Sequence, residues 1–427
     1  MVISDLHNLF LESEGVCTDT RSIKKNQLFF AIKGENFDGN LYAEEALSKG
    51  ASYAVVEDRQ FSGHPKAILV KNVLKTLQDL ANYHRKQFNI PVIGITGSNG
   101  KTTSKELVNA VLEQKYKTLV TEGNLNNHLG VPFTLLKIND LHEIAIVEMG
   151  ANKPGDIKEL AEIAQPTYGV ITNIGKAHLE GFGSLEGVIN TKTEMYRNIA
   201  SSKGAIFVNT TDTLLTNQII AGIEVIGYGN GANNVSGEVV EANPFIAFNW
   251  QIGNYQSNVL QTQLVGSYNL SNFLLAICIG QHFKVDVEKI NQAIESYSPS
   301  NNRSQVTKTT RNTLIVDCYN ANPSSMKSAI YSFKTISANS KLMILGDMLE
   351  LGSISEAEHR AVYALALTND IETIYVGNIF KSLYPKNRSY TSVEDLIEKE
   401  NLQLFSDRTI LLKGSRGIKL EKLIDKL

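Results

Sequence analysis

The run VIGITGSNGKTTSKE at residues 92–106 sets a lysine and two threonines directly behind a glycine-rich turn. An apolar, β-rich stretch, Val92–Thr96, leads into the turn, and a helical pattern begins at GKTT. Backbone N–H groups at such a turn and at the following helix N-terminus form a phosphate cradle. Gly97 and Gly100 let the main chain approach the phosphates closely. Lys101 is placed to neutralise the outer phosphates, and Thr102 to ligate Mg²⁺. The long form of this pattern needs glycine where Ile95 stands, so what remains is the shorter T-G-x-x-G-K-T form. Thr96, Gly97, Ser98, Asn99, Gly100, Lys101, Thr102 and Thr103 are the candidate phosphate-holding residues.

A phosphate loop serves hydrolases, kinases, ligases and switches alike, so the chemistry must come from what faces it. Glu148 ends the apolar run IAIVE, and His178 lies in the Gly-rich loop after YGVIT. Both fall at carboxyl ends of predicted strands, where open α/β sheets bind ligands. With Thr102 they make a candidate set for one or two Mg²⁺ ions. Lys192, in NTKTEMY, reads on periodicity alone as a surface helix lysine.

The elements around these residues alternate. Within 1–88, Leu28–Ile32 and Tyr53–Glu57 read as strands and 42–49 and 73–87 as helices. From Val92 onward, predicted strands at 144–148, 168–172 and 205–209 are separated by helical patterns, which indicates βαβ units and a parallel sheet. Residues 234–265 break the pattern with an antiparallel hairpin, Phe245–Ile252 and Asn258–Leu264, around a Gly-Asn turn. Helices near 269–282 and 287–296 follow. SPSNNRS at 298–304 has linker composition. Strand–helix alternation then restarts with strands at 313–317, 341–345, 373–376 and 409–413. The predicted fold class is α/β in three domains: a mixed α/β domain over 1–88, a central phosphate-loop domain with a parallel sheet over 89–300, and a C-terminal Rossmann-like domain over 301–427.

The 427 residues suit about three domains. Forty-one basic against 44 acidic residues give a formal charge of −3, which leaves no electrostatic footprint for nucleic acid. Cys17, Cys278 and Cys318 are far apart and odd in number, which fits a reducing cytoplasm. The opening residues lack the charge pattern of a signal peptide, and no apolar run is long enough to insert into a membrane.

T-G-S-N-G-K-T-T, E-M-G at 148–150, T-N-I-G-x-A-H at 172–178 and K-x-E at 192–194 resemble the Mur ligases. FFAIKGENFDGN (29–40), NLNNHLGVP (124–132), DCYNANPSSM (317–326), LGDMLELG (345–352) and KGSRGIKLE (413–421) resemble the branch of that family that uses a dipeptide acceptor. The resemblance implies an ATP-dependent amide-bond ligase of peptidoglycan synthesis, with UDP-MurNAc-tripeptide and D-alanyl-D-alanine as substrates; a monomer is the expectation, although the sequence itself does not give the oligomeric state. It assigns Thr18, Asp19, Thr20, Arg21, Asp38, Gly39 and Asn40 to the UDP part of the substrate, where the first domain would be a UDP-binding domain. Asn126 and Asn127 are implied to face the same substrate. Asn269 and Asn272 match nucleotide-base contacts, and Arg303 and Asp317 match the C-terminal side of the ATP site. Lys101, Glu148 and His178 match catalytic positions. Lys192 matches a lysine that the family carries as a carbamate, which would make it a fourth metal-site residue beside Thr102, Glu148 and His178.

Two positions depart from the family pattern: Tyr268 and Asn40 stand where relatives often have histidine. On the dipeptide side, Lys413 and Arg416 are candidate partners for the acceptor's carboxylate, with a solvated basic turn as the alternative. Asn320 and Asn322 are candidate contacts there too, although Asn-Ala-Asn-Pro equally fits a helix entry. A reactive acyl phosphate must be kept from water, so closure of the domains over the site is expected. Two other readings stay open: a related ligase that adds one amino acid, and a regulatory nucleotide-binding module.

Overall fold

The computed structural model describes residues 2–231, 233–299 and 301–427. Ser300, the proposed boundary between the second and third domains, lies outside the described residues.

Four principal sheets organise the chain. The first is parallel, in the order Val16–Cys17, Leu28–Phe30, Tyr53–Val56, Ala67–Leu69. The second has six parallel strands, in the order Glu224–Tyr228, Ala205–Asn209, Tyr168–Ile171, Val92–Thr96, Ile144–Glu148, Thr118–Val120. Val92–Thr96 and Ile144–Glu148 are buried along their whole length, as strands covered by helices on both faces must be. The third is an antiparallel insertion built on Phe245–Ile252, which pairs with Ser236–Ala242, Tyr255–Gln256 and Leu260–Val265. The last sheet runs Gln305–Lys308, Thr313–Asp317, Thr409–Lys413, Lys341–Gly346, Glu372–Val376, Ser389–Tyr390, with only the first strand antiparallel.

Several short or polar strands escape the sequence pattern. Ser236–Ala242 exposes both faces over much of its length, so it carries no clean alternation. Gln305–Lys308 is a half-exposed edge strand next to the segment read as a linker. That segment is anchored: Asn301 Nδ2 donates to Glu106 Oε1 at 2.8 Å, and Ser304 is buried.

The first sheet does not stand alone. Leu6, Phe10, Leu28 and Leu77 share one apolar core with Val92, Val147 and Leu160 of the central sheet's layer. A buried histidine pair reinforces this seam. His84 Nε2 lies 2.8 Å from the Ile138 carbonyl and therefore carries the proton that donates to it. His84 Nδ1 then accepts from His7 Nε2 at 2.9 Å. Burial lowers the pKa of both rings.

Candidate functional site

The strand Val92–Thr96 hands the chain to a turn that only glycine can make. Gly97 has φ +146°, and a side chain there would collide with Thr172 Oγ1. Gly100, at φ +79°, opens the helix Lys101–Leu112. The loop between them is pinned from the neighbouring strand's exit: Ser98 N donates to the Asn173 carbonyl at 2.9 Å, and Asn99 N to Asn173 Oδ1 at 3.0 Å. Those two amides are therefore spent, and the unpaired N–H groups that begin the helix are the ones left for phosphate. Lys101 Nζ donates to the Gly97 carbonyl at 2.7 Å. Burial lowers the Lys101 pKa to about 8, against the opposing pull of Glu148 and with the help of Arg303.

The loop borders a cavity of about 780 Å³ lined by both the central and the C-terminal units. Of the sequence-predicted residues, Ser98 through Thr103, Asn126, Asn127, Glu148, His178, Asn269, Asn272, Arg303, Asp317, Asn320, Asn322 and Lys413 line it. The two units meet directly: Asn322 Nδ2 donates to Asn99 Oδ1 at 2.7 Å, and Asn99 Nδ2 donates to Ser324 Oγ at 3.1 Å.

Glu148 is buried and split in its duties. Oε1 accepts from Asn126 Nδ2 at 2.7 Å, while Oε2 has no hydrogen-bond partner among the described residues and lies 3.9 Å from Lys105 Nζ. A carboxylate oxygen left unbonded in the interior suits a cation. His178 does not join it in a ready-made cluster. Its Nδ1 is 2.5 Å from Glu350 Oε2 in the C-terminal unit, and no three His, Cys, Asp or Glu side chains gather at metal-binding spacing among the described residues.

Lys192 corrects the periodicity reading. It ends the helix Leu185–Lys192 with 1% of its surface exposed. Burial depresses its pKa well below the usual lysine value, the nearby Lys101 adds to the shift, and Asp156 opposes it. It is off the cavity lining, as is Thr96, which is buried with no hydrogen-bond partner for Oγ1 among the described residues.

Other predicted residues lie away from this cavity or have side-chain atoms held by protein groups. Thr18, Asp19, Thr20, Arg21, Asp38, Gly39 and Asn40 do not reach this cavity. Asp19 and Arg21 pair with each other at the surface, at 2.6 Å, and the guanidinium holds the carboxyl down to about 2. Asn40 is buried, taking Asp38 Oδ1 on its amide and receiving the Glu57 and Asp58 N–H groups on its oxygen. It braces a turn instead of presenting a free amide. Asn127 Oδ1 accepts from Leu129 N and Gly130 N, which starts a helix. Asn269 and Asn272 bond each other at 2.8 Å, and Asn272 accepts from Ser104 Oγ at 3.1 Å, so both side chains brace the loop helix.

On the C-terminal side, Lys413 Nζ lies 2.9 Å from Asp317 Oδ2, so neither is a free charge. Arg416 is exposed and lies outside the lining. Asn322 makes a capping box with Ser325 at the helix Pro323–Thr335, as the helix-entry reading of Asn-Ala-Asn-Pro has it. Glu350, Glu358 and Tyr319 were not singled out by the sequence. Glu358 Oε1 is 2.7 Å from Lys176 Nζ. Glu350 lies on an exposed turn, Glu358 on the helix Ser355–Thr368 and Tyr319 after a strand, so no shared periodic signal marks them and only the tertiary contacts reveal them.

Three family models match the chain: "Mur ligase family, catalytic domain" over residues 12–94, "Mur ligase middle domain" over 95–280 and "Mur ligase, glutamate ligase domain" over 302–416. A Bacillus subtilis protein named UDP-N-acetylmuramoyl-tripeptide--D-alanyl-D-alanine ligase is 33% identical over 97% of this chain and 93% of its own length. An Escherichia coli protein of the same name is 30% identical over 98% and 95%. The crystal structure of MurF from Acinetobacter baumannii, 29% identical, superposes with a TM-score of 0.88 over 97% of this chain and 93% of that one.

Proposed function

The chain belongs to the Mur ligase family, and from that membership we propose the course of its reaction. It is an ATP-dependent amide-bond ligase that joins D-alanyl-D-alanine to UDP-MurNAc-tripeptide in peptidoglycan synthesis. The observation that carries this reading is the shared cavity, in which the phosphate loop of the central unit faces the YNANP turn of the C-terminal one.

ATP lies with its phosphates at the loop, where the free helix N–H groups and Lys101 stabilise charge on the transferring phosphoryl group. The tripeptide's terminal carboxylate attacks the γ-phosphorus, the bond to ADP breaks, and an acyl phosphate forms. The dipeptide's amine then attacks that carbonyl. The tetrahedral adduct loses inorganic phosphate and a proton to leave the amide. Contacts between the units across Asn99 and Asn322 support a water-poor chamber for the acyl phosphate. Thr102 and the unbonded oxygen of Glu148 are the residues suited to hold Mg²⁺, which supplies charge neutralisation for the phosphates.

Lys192 is read as a carbamate. Its burial and depressed pKa favour the neutral amine, the form that adds CO₂. The resulting anion would sit near the Lys101 charge. The free thiols Cys17, Cys278 and Cys318 support a cytoplasmic setting. Work is divided among a UDP-binding domain at 1–88, the central domain at 89–300 and the C-terminal domain at 301–427.

The direct test is product mass after incubation with ATP, UDP-MurNAc-tripeptide and D-alanyl-D-alanine, in competition with D-alanine, L-lysine and meso-diaminopimelate. The dipeptide is expected to be joined in strong preference. Lys101→Ala should lower turnover by at least about 100-fold while the fold is kept. A single amino acid joined as well as the dipeptide would overturn the acceptor assignment.

A further inference from the structure

Two guanidiniums share the ring of Tyr319. The guanidinium carbon of Arg303 is 3.8 Å from the ring centroid, and that of Arg416 is 5.3 Å away. Arg303 precedes the edge strand Gln305–Lys308, Tyr319 follows Thr313–Asp317, and Arg416 follows Thr409–Lys413. These strands are neighbours in one sheet, so its topology alone brings the three residues together. Arg303 and Tyr319 line the cavity, while Arg416 is exposed outside that lining and is tied to it through the Tyr319 ring. Arg303 Nε is buried with no hydrogen-bond partner among the described residues. The nearby Asp317 carboxylate is spent on Lys413.

Two like charges near each other repel, and the negative face of an aromatic ring offsets that repulsion. A guanidinium lying on a ring keeps the N–H fork at its edge free for an oxyanion, which an ammonium cannot imitate. We propose that Tyr319 is a positioning residue for both small anionic substrates: it holds Arg303 toward the transferring phosphate of ATP and Arg416 toward the acceptor's carboxylate. This rests on the ligase reading above, and it deepens that reading by joining the donor and acceptor sides through one side chain.

The test uses the full-length enzyme and three variants: Tyr319→Leu, Tyr319→Phe and Arg303→Lys. Binding of MgATP is followed by titration calorimetry without turnover, and KM and kcat are followed by amide formation. Tyr319→Leu is expected to weaken MgATP binding and raise KM for D-alanyl-D-alanine, each by roughly 3- to 30-fold, with KM for UDP-MurNAc-tripeptide unchanged. Tyr319→Phe keeps the ring face and should bring both values back to within about twofold. Arg303→Lys keeps the charge but loses the stacking, and should weaken MgATP binding alone. It also decides the ATP half if Tyr319→Leu does not fold. A fall in kcat with both constants unchanged, or a Phe variant as impaired as Leu, overturns the proposal. A wild-type enzyme that binds MgATP but forms no amide overturns the ligase reading and the acceptor half, while calorimetry still decides the Arg303 half.

Discussion

His178 Nδ1 and Glu350 Oε2 stand 2.5 Å apart across the seam between the central and C-terminal sheets. The histidine holds the Glu350 carboxyl below the usual carboxylate range. Lys176, two residues before His178, pairs likewise with Glu358 of the helix Ser355–Thr368, at 2.7 Å. Both pairs are partly exposed, so each contributes about 0–1 kcal/mol to stability. Their effect should fall on closure. In the double variant Glu350→Gln/Glu358→Gln, the unfolding midpoint should stay within a few degrees of the parent. Amide formation should slow by up to about 100-fold, since small misplacements of reacting groups are that costly. Phosphate release should exceed amide formation as acyl phosphate leaks to water. Equal phosphate and amide yields would show that these pairs do not help to seal the chamber.

The carbamate proposed at the buried Lys192 predicts that activity depends on dissolved CO₂. Enzyme prepared in CO₂-free buffer should lose activity, and bicarbonate should restore it. A variant carrying Lys192→Gln should be roughly 10- to 100-fold less active and indifferent to bicarbonate. Carbon-13 NMR with labelled bicarbonate should give a carbamate signal in the parent and none in the variant. Full activity of the parent without CO₂ would remove the carbamate from the account.

Gly97→Ala tests the turn itself. The backbone is at φ +146°, and the new methyl would meet Thr172 Oγ1. Backbone strain of this kind costs about 1–3 kcal/mol, and here it falls on the phosphate loop. The expected result is a lowered melting temperature together with loss of MgATP binding. Adding Thr172→Ala makes room for the methyl but leaves the backbone angle, so binding should return only in part. Complete recovery in the double variant would mean that crowding, not φ, is the constraint.

The His7–His84 pair predicts a pH dependence of stability. Burial puts both folded-state pKa values below 6.5, the value expected in the unfolded chain. As pH falls below 6.5 the unfolded state takes up protons first, so stability is full above that pH and declines beneath it. Burial among the Tyr83, Phe10 and Phe88 rings sets the direction, the neighbouring His7 adds to it at His84, and the Ile138 carbonyl opposes it. His84→Gln should lower stability at pH 7.5 by about 1 kcal/mol, the usual net worth of a hydrogen bond. It should also flatten the decline between pH 7 and pH 5. An equally steep decline in the variant would locate the effect in other groups.

Much of the central and C-terminal sheets was legible because buried parallel strands read as apolar runs: Val92–Thr96, Ile144–Glu148, Ala205–Asn209, Thr313–Asp317 and Thr409–Lys413 match the structure residue for residue. Gln305–Lys308 and Ser236–Ala242 were not, because half-exposed strands lack that run. The phosphate loop was legible because its backbone demands glycines at fixed places. Periodicity alone leaves Lys192 on the surface because a buried lysine contradicts the polarity on which periodicity depends. Asn40, Asn127 and Asn269 read as ligand contacts through resemblance; the side chains of Asn40 and Asn269 are bonded within the protein, and Asn127 spends its oxygen on a helix start while lining the cavity. Which partner an amide chooses is a tertiary fact. The Tyr319 cluster was invisible for the same reason, since its members are drawn from three distant stretches of chain.

The direct bonds from Asn99 to Asn322 and Ser324 bear on how such enzymes can be recombined. Asn99 sits inside the nucleotide loop, yet its amide is read by the first turn of a helix that starts at Pro323. A chimaera that imports its last 125 or so residues from a relative therefore inherits a stranger's handshake at the heart of the motor. Exchange of C-terminal modules should succeed where the incoming helix begins with an amide and a hydroxyl in this spacing, and otherwise yield a protein that folds in all its parts but does not engage.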